Sequence, residues 1–208
     1  MTLNRIYISI FLVWLFHVSA IVGCTLEYCD WFTAKTPINL LLISVLVIID
    51  HSPKKPFQVL IPFAIGMTAE WIGVHTGWLF GNYTYGNHLG WKIWEVPWLI
   101  GMNWLIMIYA GSAITSNTRW SAPLRAFCTA SLITSLDVLM EQVAPQLDFW
   151  SFSDGVVPFS NYAGWLVVSF IASWLYIKQE LENRPAVLGV HIFFAILFYF
   201  ACINILLG

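Results

Sequence analysis

The chain has 208 residues, of which 59% are hydrophobic and only 10% are charged, and its formal net charge is −2 at pH 7. A water-soluble domain of this length needs more polar surface than this composition supplies, so we expect lipid to be its solvent. The sequence has neither a basic patch nor a nucleotide-binding fingerprint, which argues against nucleic acids and nucleotides as partners.

Apolar segments alternate with charges and with Pro or Gly breaks along the whole chain. Each segment is long enough, at about 1.5 Å per residue, to cross most of a hydrocarbon core of about 30 Å. The pattern predicts a single domain over residues 1–208, an all-α integral membrane protein built as a bundle of about seven transmembrane helices. The predicted helices lie near residues 5–24, 33–50, 57–75, 96–116, 122–144, 161–179 and 186–206.

Basic residues are distributed unevenly between the two sides that seven helices define. The side that holds the N-terminus has Arg5, Lys54, Lys55, Arg119, Arg125, Lys178 and Arg184. The other side has only Lys35 and Lys92. Because Lys and Arg are enriched in cytoplasmic loops, we expect a cytoplasmic N-terminus in a multi-pass protein of the cell membrane.

Two long segments on the predicted outer side, about 76–95 and 145–160, are rich in Gly and aromatic residues. We expect these loops to dip into the membrane interface and to cover a site beneath them. Tryptophans near this side are assigned to the aromatic belt of the headgroup layer. They are Trp31, Trp78, Trp91, Trp94, Trp98 and Trp150.

Three carboxyl groups and one amide fall inside predicted helices at a similar depth, in the outer half of the membrane. Glu70 lies about one turn from the outer end of its helix, and Asn103 lies about two turns inside the next. Asp137 and Glu141 are four residues apart and therefore share one helical face. Ionisable groups are costly in a membrane, so they predict a functional site; the alternative is a hydrogen-bond network that only joins helices.

Small residues surround the first of these carboxyl groups. Gly66 and Gly73 lie four residues before and three residues after Glu70. They give its face a surface that another helix, or a flat ligand, can approach closely.

Several enzyme and receptor classes are disfavoured by what the sequence lacks. The five histidines form none of the clusters that a membrane di-iron enzyme requires, and the last predicted helix has no Lys for a retinal Schiff base. The four cysteines, Cys24, Cys29, Cys128 and Cys202, have neither C-x-x-C spacing nor nearby histidines. We therefore expect no metal site, and burial is the preferred interpretation of the cysteines.

Two ordered sequence blocks carry a resemblance to a known family. The first has EWIGVHTG at 70–77, FGNYTY at 80–85, LG at 89–90, VP at 96–97 and NW at 103–104. The second has DVLME at 137–141, VA at 143–144, Trp150, VP at 157–158 and NYAGW at 161–165. Together they resemble the signatures of membrane-integral carotenoid biosynthesis proteins, the CruF-type carotenoid 1,2-hydratases. Gln142 stands where that family has a proline.

The resemblance implies acid-catalysed addition of water to the C1=C2 bond of an acyclic (ψ) carotenoid end group, giving a tertiary alcohol. Such a reaction needs no cofactor, and its polyene substrate would arrive from the bilayer. It requires a carboxylic acid that keeps its proton at neutral pH and a second, ionised carboxylate that orients the water.

The residue types needed for this reaction are present in the two blocks. As a hypothesis, Asp137 is the proton donor because it lies deepest, and Glu70 and Glu141 are its partners or the base. The substrate- and water-binding candidates are the aromatic residues Trp71, Tyr83, Tyr85, Trp104 and Trp165, whose faces can stabilise a cation, and the amides Asn103 and Asn161.

Two alternatives stay open at the level of sequence. A lycopene-cyclase-like enzyme would protonate the same end group and trap the cation with an internal double bond; a dry aromatic pocket would favour it, whereas room for ordered water favours hydration. A transporter or a lipid-binding protein without enzymatic activity would use the same carboxyl groups as a proton relay or to hold a ligand.

Overall fold

The fold is a bundle of helices, and the computed structural model describes residues 3–51, 56–179 and 187–208 of it. Within these ranges seven long helices correspond to the seven predicted segments, and no end differs by more than three residues. They are α1 (Leu3–Thr25), α3 (Thr36–His51), α4 (Pro56–Thr76), α5 (Leu99–Thr115), α6 (Ala122–Glu141), α7 (Phe159–Lys178) and α8 (Val187–Leu207). A short helix that was not predicted, α2 (Cys29–Thr33), follows α1.

The helices are apolar enough for a membrane environment. Four of them contain stretches long and hydrophobic enough to cross a bilayer, Arg5–Thr25, Gln58–Thr76, Ala122–Glu141 and Val187–Leu207, and α3 and α5 are shorter apolar helices. The protein is therefore an all-α membrane protein, as predicted. Lys54, Lys55 and Arg184 lie outside the described residues, so the cytoplasmic position of the N-terminus stays a prediction.

Helix α5 forms the centre of the bundle. It is hydrophobic around its whole circumference, and it contacts α3, α4, α6, α7 and α8. Most of its residues are buried, which places it inside the bundle rather than against lipid. The pairs α6–α7, α1–α8 and α4–α5 pack along one another around it.

The two long connections on the predicted outer side pair with each other. Strand β1 (Tyr83–Tyr85), from the α4–α5 connection, is antiparallel to β4 (Trp150–Phe152), from the α6–α7 connection. The α4–α5 connection also contains a small hairpin of β2 (Lys92–Ile93) and β3 (Val96–Pro97). The β1–β4 ribbon covers the end of the bundle where Glu70 and Glu141 lie, as the composition of the two loops predicts.

Two of the cysteines are bonded, which corrects the expectation that all four are simply buried. Cys24, at the end of α1, forms a disulfide with Cys29, the first residue of α2. Both are half-buried, as are the free Cys128 and Cys202. The bond fixes α2 directly to the end of α1. A spacing of five residues matches no common motif, so this pairing could not be predicted from the spacing of the cysteines.

Thiol labelling tests both this disulfide and the orientation of the bundle. Disulfides persist in oxidising compartments and are rare in the cytosol, so Cys24 and Cys29 belong on the outer side. In a Cys128→Ser/Cys202→Ser variant on intact cells, a membrane-impermeant maleimide should label the protein only after treatment with an impermeant reductant. Labelling that requires permeabilised cells would reverse the orientation, and labelling without reductant would contradict the disulfide.

Candidate active site

Glu70 on α4 accepts hydrogen bonds from three different elements. Its Oε2 accepts from the hydroxyl groups of Tyr83 at 2.5 Å and Tyr85 at 2.6 Å, and its Oε1 accepts from Trp104 Nε1 at 2.9 Å. The side chain is buried, with 3% of its surface exposed. The three donors are uncharged, so a buried negative charge at Glu70 is compensated by hydrogen bonds rather than by a cation.

The glycines beside Glu70 allow these donors to reach it. A Cβ atom at Gly66 would lie 2.1 Å from Trp104 Cγ, and one at Gly73 would lie 2.6 Å from Phe80 Cδ2 and 3.0 Å from the Tyr83 hydroxyl. Any larger residue would therefore push α5 or the β1 loop away from α4. This confirms the close approach predicted from the spacing of the two glycines.

Strand geometry aims both tyrosines at the carboxyl group. Tyr83 and Tyr85 are buried while Thr84 between them is exposed, which is the alternation of a strand covering a core. Burial, followed by the neighbouring Glu70 carboxylate, raises the pKa of both Tyr83 and Tyr85 above the ordinary value. The two hydroxyls therefore stay protonated and act as hydrogen-bond donors.

A second cluster contains the other two carboxyl groups. Asn161 Nδ2, on α7, donates to Glu141 Oε1 at 2.7 Å and lies 3.2 Å from Asp137 Oδ2. Trp150 Nε1, from β4, donates to Glu141 Oε2 at 2.8 Å. Asp137 is fully buried, and its Oδ1 has no hydrogen-bond partner among the described residues. Asp137 thus has less hydrogen-bond support than Glu70 or Glu141.

A small cavity separates the two clusters. Its volume is about 20 Å³, which is room for one water molecule, since a water needs about 10–15 Å³ on this scale. Two carboxyl groups line it, together with an amide and a ring of mostly aromatic residues. The lining residues are Glu70, Phe80, Tyr83, Tyr85, Ile100, Asn103, Glu141, Trp150, Phe152 and Trp165.

The arrangement places groups that are capable of acid–base chemistry around a small, largely apolar cavity. Trp165 also stacks on Trp104, with ring centroids 4.4 Å apart and planes 13° from parallel. Trp104 in turn donates to Glu70, so this pair of rings connects the aromatic wall to a carboxyl group. Within the described ranges, no group of three or more His, Cys, Asp and Glu side chains is placed to hold a metal ion.

The structure gathers the predicted site residues, with one exception. Trp71 lies outside the cluster: its Nε1 donates to the Ile93 carbonyl at 3.1 Å, and its ring packs against Trp94. Consecutive residues of a helix point about 100° apart, so Trp71 cannot share the direction of Glu70. Asp137 is in the second cluster but does not line the small cavity.

The position of Trp150 differs from the predicted one. We assigned it to the interfacial belt, but it is buried, lines the cavity and donates to Glu141. Its membership of the second sequence block was the available signal. Phe80 and Phe152 were not predicted as site residues, because the sequence of a loop does not indicate which distant residues an aromatic side chain contacts.

Comparisons with known proteins identify the family of this chain. The family of carotenoid biosynthesis proteins matches residues 36–208. A bisanhydrobacterioruberin hydratase of Haloarcula japonica is 26% identical over 149 residues, with 62% of this chain and 49% of the relative covered. The chain thus spans about half the length of that relative. No solved structure matches. All site residues fall inside the family match, whereas α1 and α2 precede it.

Replacement of Trp150 separates a site residue from a belt residue. Trp150→Phe removes the N–H that reaches Glu141, and hydrogen bonds to charged groups contribute about 1.5–3 kcal/mol. We expect a lower thermal unfolding temperature for the detergent-solubilised variant. Trp91→Phe is the matched control, because Trp91 is 87% exposed and should unfold like the unmodified protein. Equal unfolding temperatures for both variants would return Trp150 to the belt.

Proposed function

The chain belongs to the family of carotenoid biosynthesis proteins, and on that premise we propose that it is a carotenoid hydratase of the cell membrane. The proposed reaction adds water to the C1=C2 bond of an acyclic (ψ) end group and gives a tertiary 1-hydroxy carotenoid. The observation that carries the proposal is a cavity of about 20 Å³ that has room for one water and is lined by two carboxyl groups. The Haloarcula japonica relative, named as a hydratase, supports the same type of reaction.

The reaction has two proton transfers and one carbon–oxygen bond. A carboxylic acid gives its proton to C2, the π electrons form the new C–H bond, and C1 becomes a tertiary cation. The oxygen of one water bonds to C1, and the proton that this oxygen loses passes to a carboxylate. Return of that proton to the first carboxyl restores the enzyme. The sum is the addition of one water, so no oxidant or reductant is consumed.

Glu70 is the proposed base that orients the water. It faces the small cavity, and its three neutral donors compensate a negative charge. The donors also fix the direction of both carboxylate oxygens, which positions a water between the carboxylate and C1. Asn103 lines the same cavity and can hydrogen-bond that water.

Glu141 is the proposed acid that contacts the alkene, and Asp137 is proposed to act through it. The sequence hypothesis made Asp137 the direct donor, but Glu141 lines the cavity and Asp137 does not. The two carboxyls share the Asn161 amide, and their hydrogen-bond partners among the described residues are neutral, an arrangement that suits one proton held by the pair. Asp137 would then supply that proton to Glu141.

Aromatic walls supply the environment for the cation. Trp165, Phe80 and Phe152 line the cavity, and the indole of Trp165 is backed by Trp104. A cation over an aromatic face gains about 1–2 kcal/mol when water is excluded. The same walls leave room for few waters. The cation can therefore react only with the water that the Glu70 carboxylate holds.

Expression in a host that accumulates lycopene tests the reaction directly. Extracted pigments are separated by chromatography and weighed by mass spectrometry. A product heavier by one water is expected. An isomeric product of unchanged mass would instead establish a cyclase. Conversion by purified protein in detergent, without an ion gradient, would exclude a transporter.

Carboxyl-to-amide variants test the assigned roles. Glu70→Gln and Glu141→Gln should each lower hydrated product about 100-fold or more, because general acid–base groups contribute about 10²–10⁴-fold. Asp137→Asn should lower it less if Asp137 acts through Glu141. Glu95→Gln is the control, because Glu95 is an exposed acid of the α4–α5 connection and should leave the product unchanged. Normal hydration by Glu70→Gln and Glu141→Gln, at equal protein levels, would reject this site.

A further inference from the structure

A second, much larger cavity lies between α1, α2, α3, α5 and α8. Its volume is about 390 Å³, within the range of about 300–1,000 Å³ that small-molecule sites occupy. Its walls are mainly apolar and include Phe16, Ala20, Ile43, Ile106, Ile196 and Phe200. An apolar cavity of this size inside a membrane protein suits a hydrophobic ligand rather than a polar metabolite.

The large cavity adjoins the candidate active site. Ile100, Asn103 and Trp150 line both the large cavity and the small one that contains Glu70 and Glu141. A molecule in the large cavity therefore has one end against the small cavity. The lining also includes Trp31 and Ile38, which are 58% and 56% exposed, so the large cavity reaches the lipid-facing surface.

We propose that the large cavity binds the polyene chain of the substrate and directs its end group to Asn103, where the large cavity borders the small one that holds the water. This inference rests on the proposed hydratase function and adds where the rest of the substrate lies. A rod-shaped hydrocarbon with one reactive end matches a long apolar cavity that ends at carboxyl groups. The part of the polyene beyond the cavity extends into lipid past Trp31 and Ile38.

The proposal gives α1 and α2 a role in choosing the substrate. Phe16, Ala20 and Trp31 come from these two helices, which lie before the family match at 36–208. The disulfide between Cys24 and Cys29 fixes α2 against α1 at this wall. The residues that carry the chemistry belong to the family region, whereas one wall of the polyene cavity does not.

A binding measurement tests the cavity independently of catalysis. In the Glu70→Gln background, purified protein is titrated with lycopene in detergent, and retained pigment is measured by absorbance after size-exclusion chromatography. Adding Ala20→Phe places a ring in the cavity, takes space from the polyene and should raise the Kd about tenfold, which is about 1.4 kcal/mol. Ile8→Phe on the same helix is the control, because Ile8 is 59% exposed and lines no described cavity.

The titration shows whether the large cavity binds the polyene. A higher Kd for Ala20→Phe, with an unfolding temperature equal to that of Ile8→Phe, supports the cavity. Equal Kd values for the two variants overturn it, as does phospholipid in the purified protein that lycopene does not displace. Ile196→Phe, from the α8 wall, repeats the test if Ala20→Phe does not fold. The hydratase proposal fails separately, if Glu70-containing protein binds lycopene without forming a hydrated product.

Discussion

A carboxyl group inside a membrane must be satisfied by the protein, and much of this fold follows from that constraint at Glu70. With no bulk water available, its oxygens need donors from neighbouring elements, and they receive them from Tyr83, Tyr85 and Trp104. To deliver these donors, α5 must approach α4 at Gly66, and the β1 strand must fold back over the end of the bundle at Gly73. The antiparallel pairing of β1 with β4 then brings Trp150 to Glu141. One buried acid thus fixes a helix contact, a loop and the position of the second acidic cluster.

The sequence predicted the features that depend on local periodicity and on the free-energy cost of burying ionisable groups. Hydropathy placed the seven long helices, and the expense of burying Glu70, Asp137 and Glu141 identified the site before any contact was known. What escaped prediction depends on partners distant in the chain. Trp150 was indistinguishable from a belt residue until β1 paired with β4, a pairing of residues more than sixty positions apart. Trp71 was a candidate as an aromatic residue of the first block, yet the helical turn directs it away from Glu70.

The geometry also suits the addition of a single water to a cation in a site that admits few other waters. Addition to C1 needs one water, and several waters would let the proton escape from the acid before it reached C2. A cavity with room for about one water, lined by Phe80, Phe152 and Trp165 and bordered by the β1–β4 ribbon, meets both conditions. A cyclase would need the same acid but would have to keep that space dry. The Glu70 carboxylate faces the cavity, and its hydrogen-bond donors are already in place. The cavity therefore attracts water.

The two cavities are formed by different parts of the chain. Glu70, Glu141 and their donors belong to residues 36–208, the region matched by the family, and we propose that they carry the proton transfers. The large cavity is walled on one side by α1 and α2, which precede that region. A change at Phe16 or Ala20 can alter the shape offered to the polyene without moving any proton-transferring group, because the two cavities meet only at Ile100, Asn103 and Trp150. Under the proposed function, substitutions on the α1–α2 wall would therefore change the substrate range and leave the acid–base site the same.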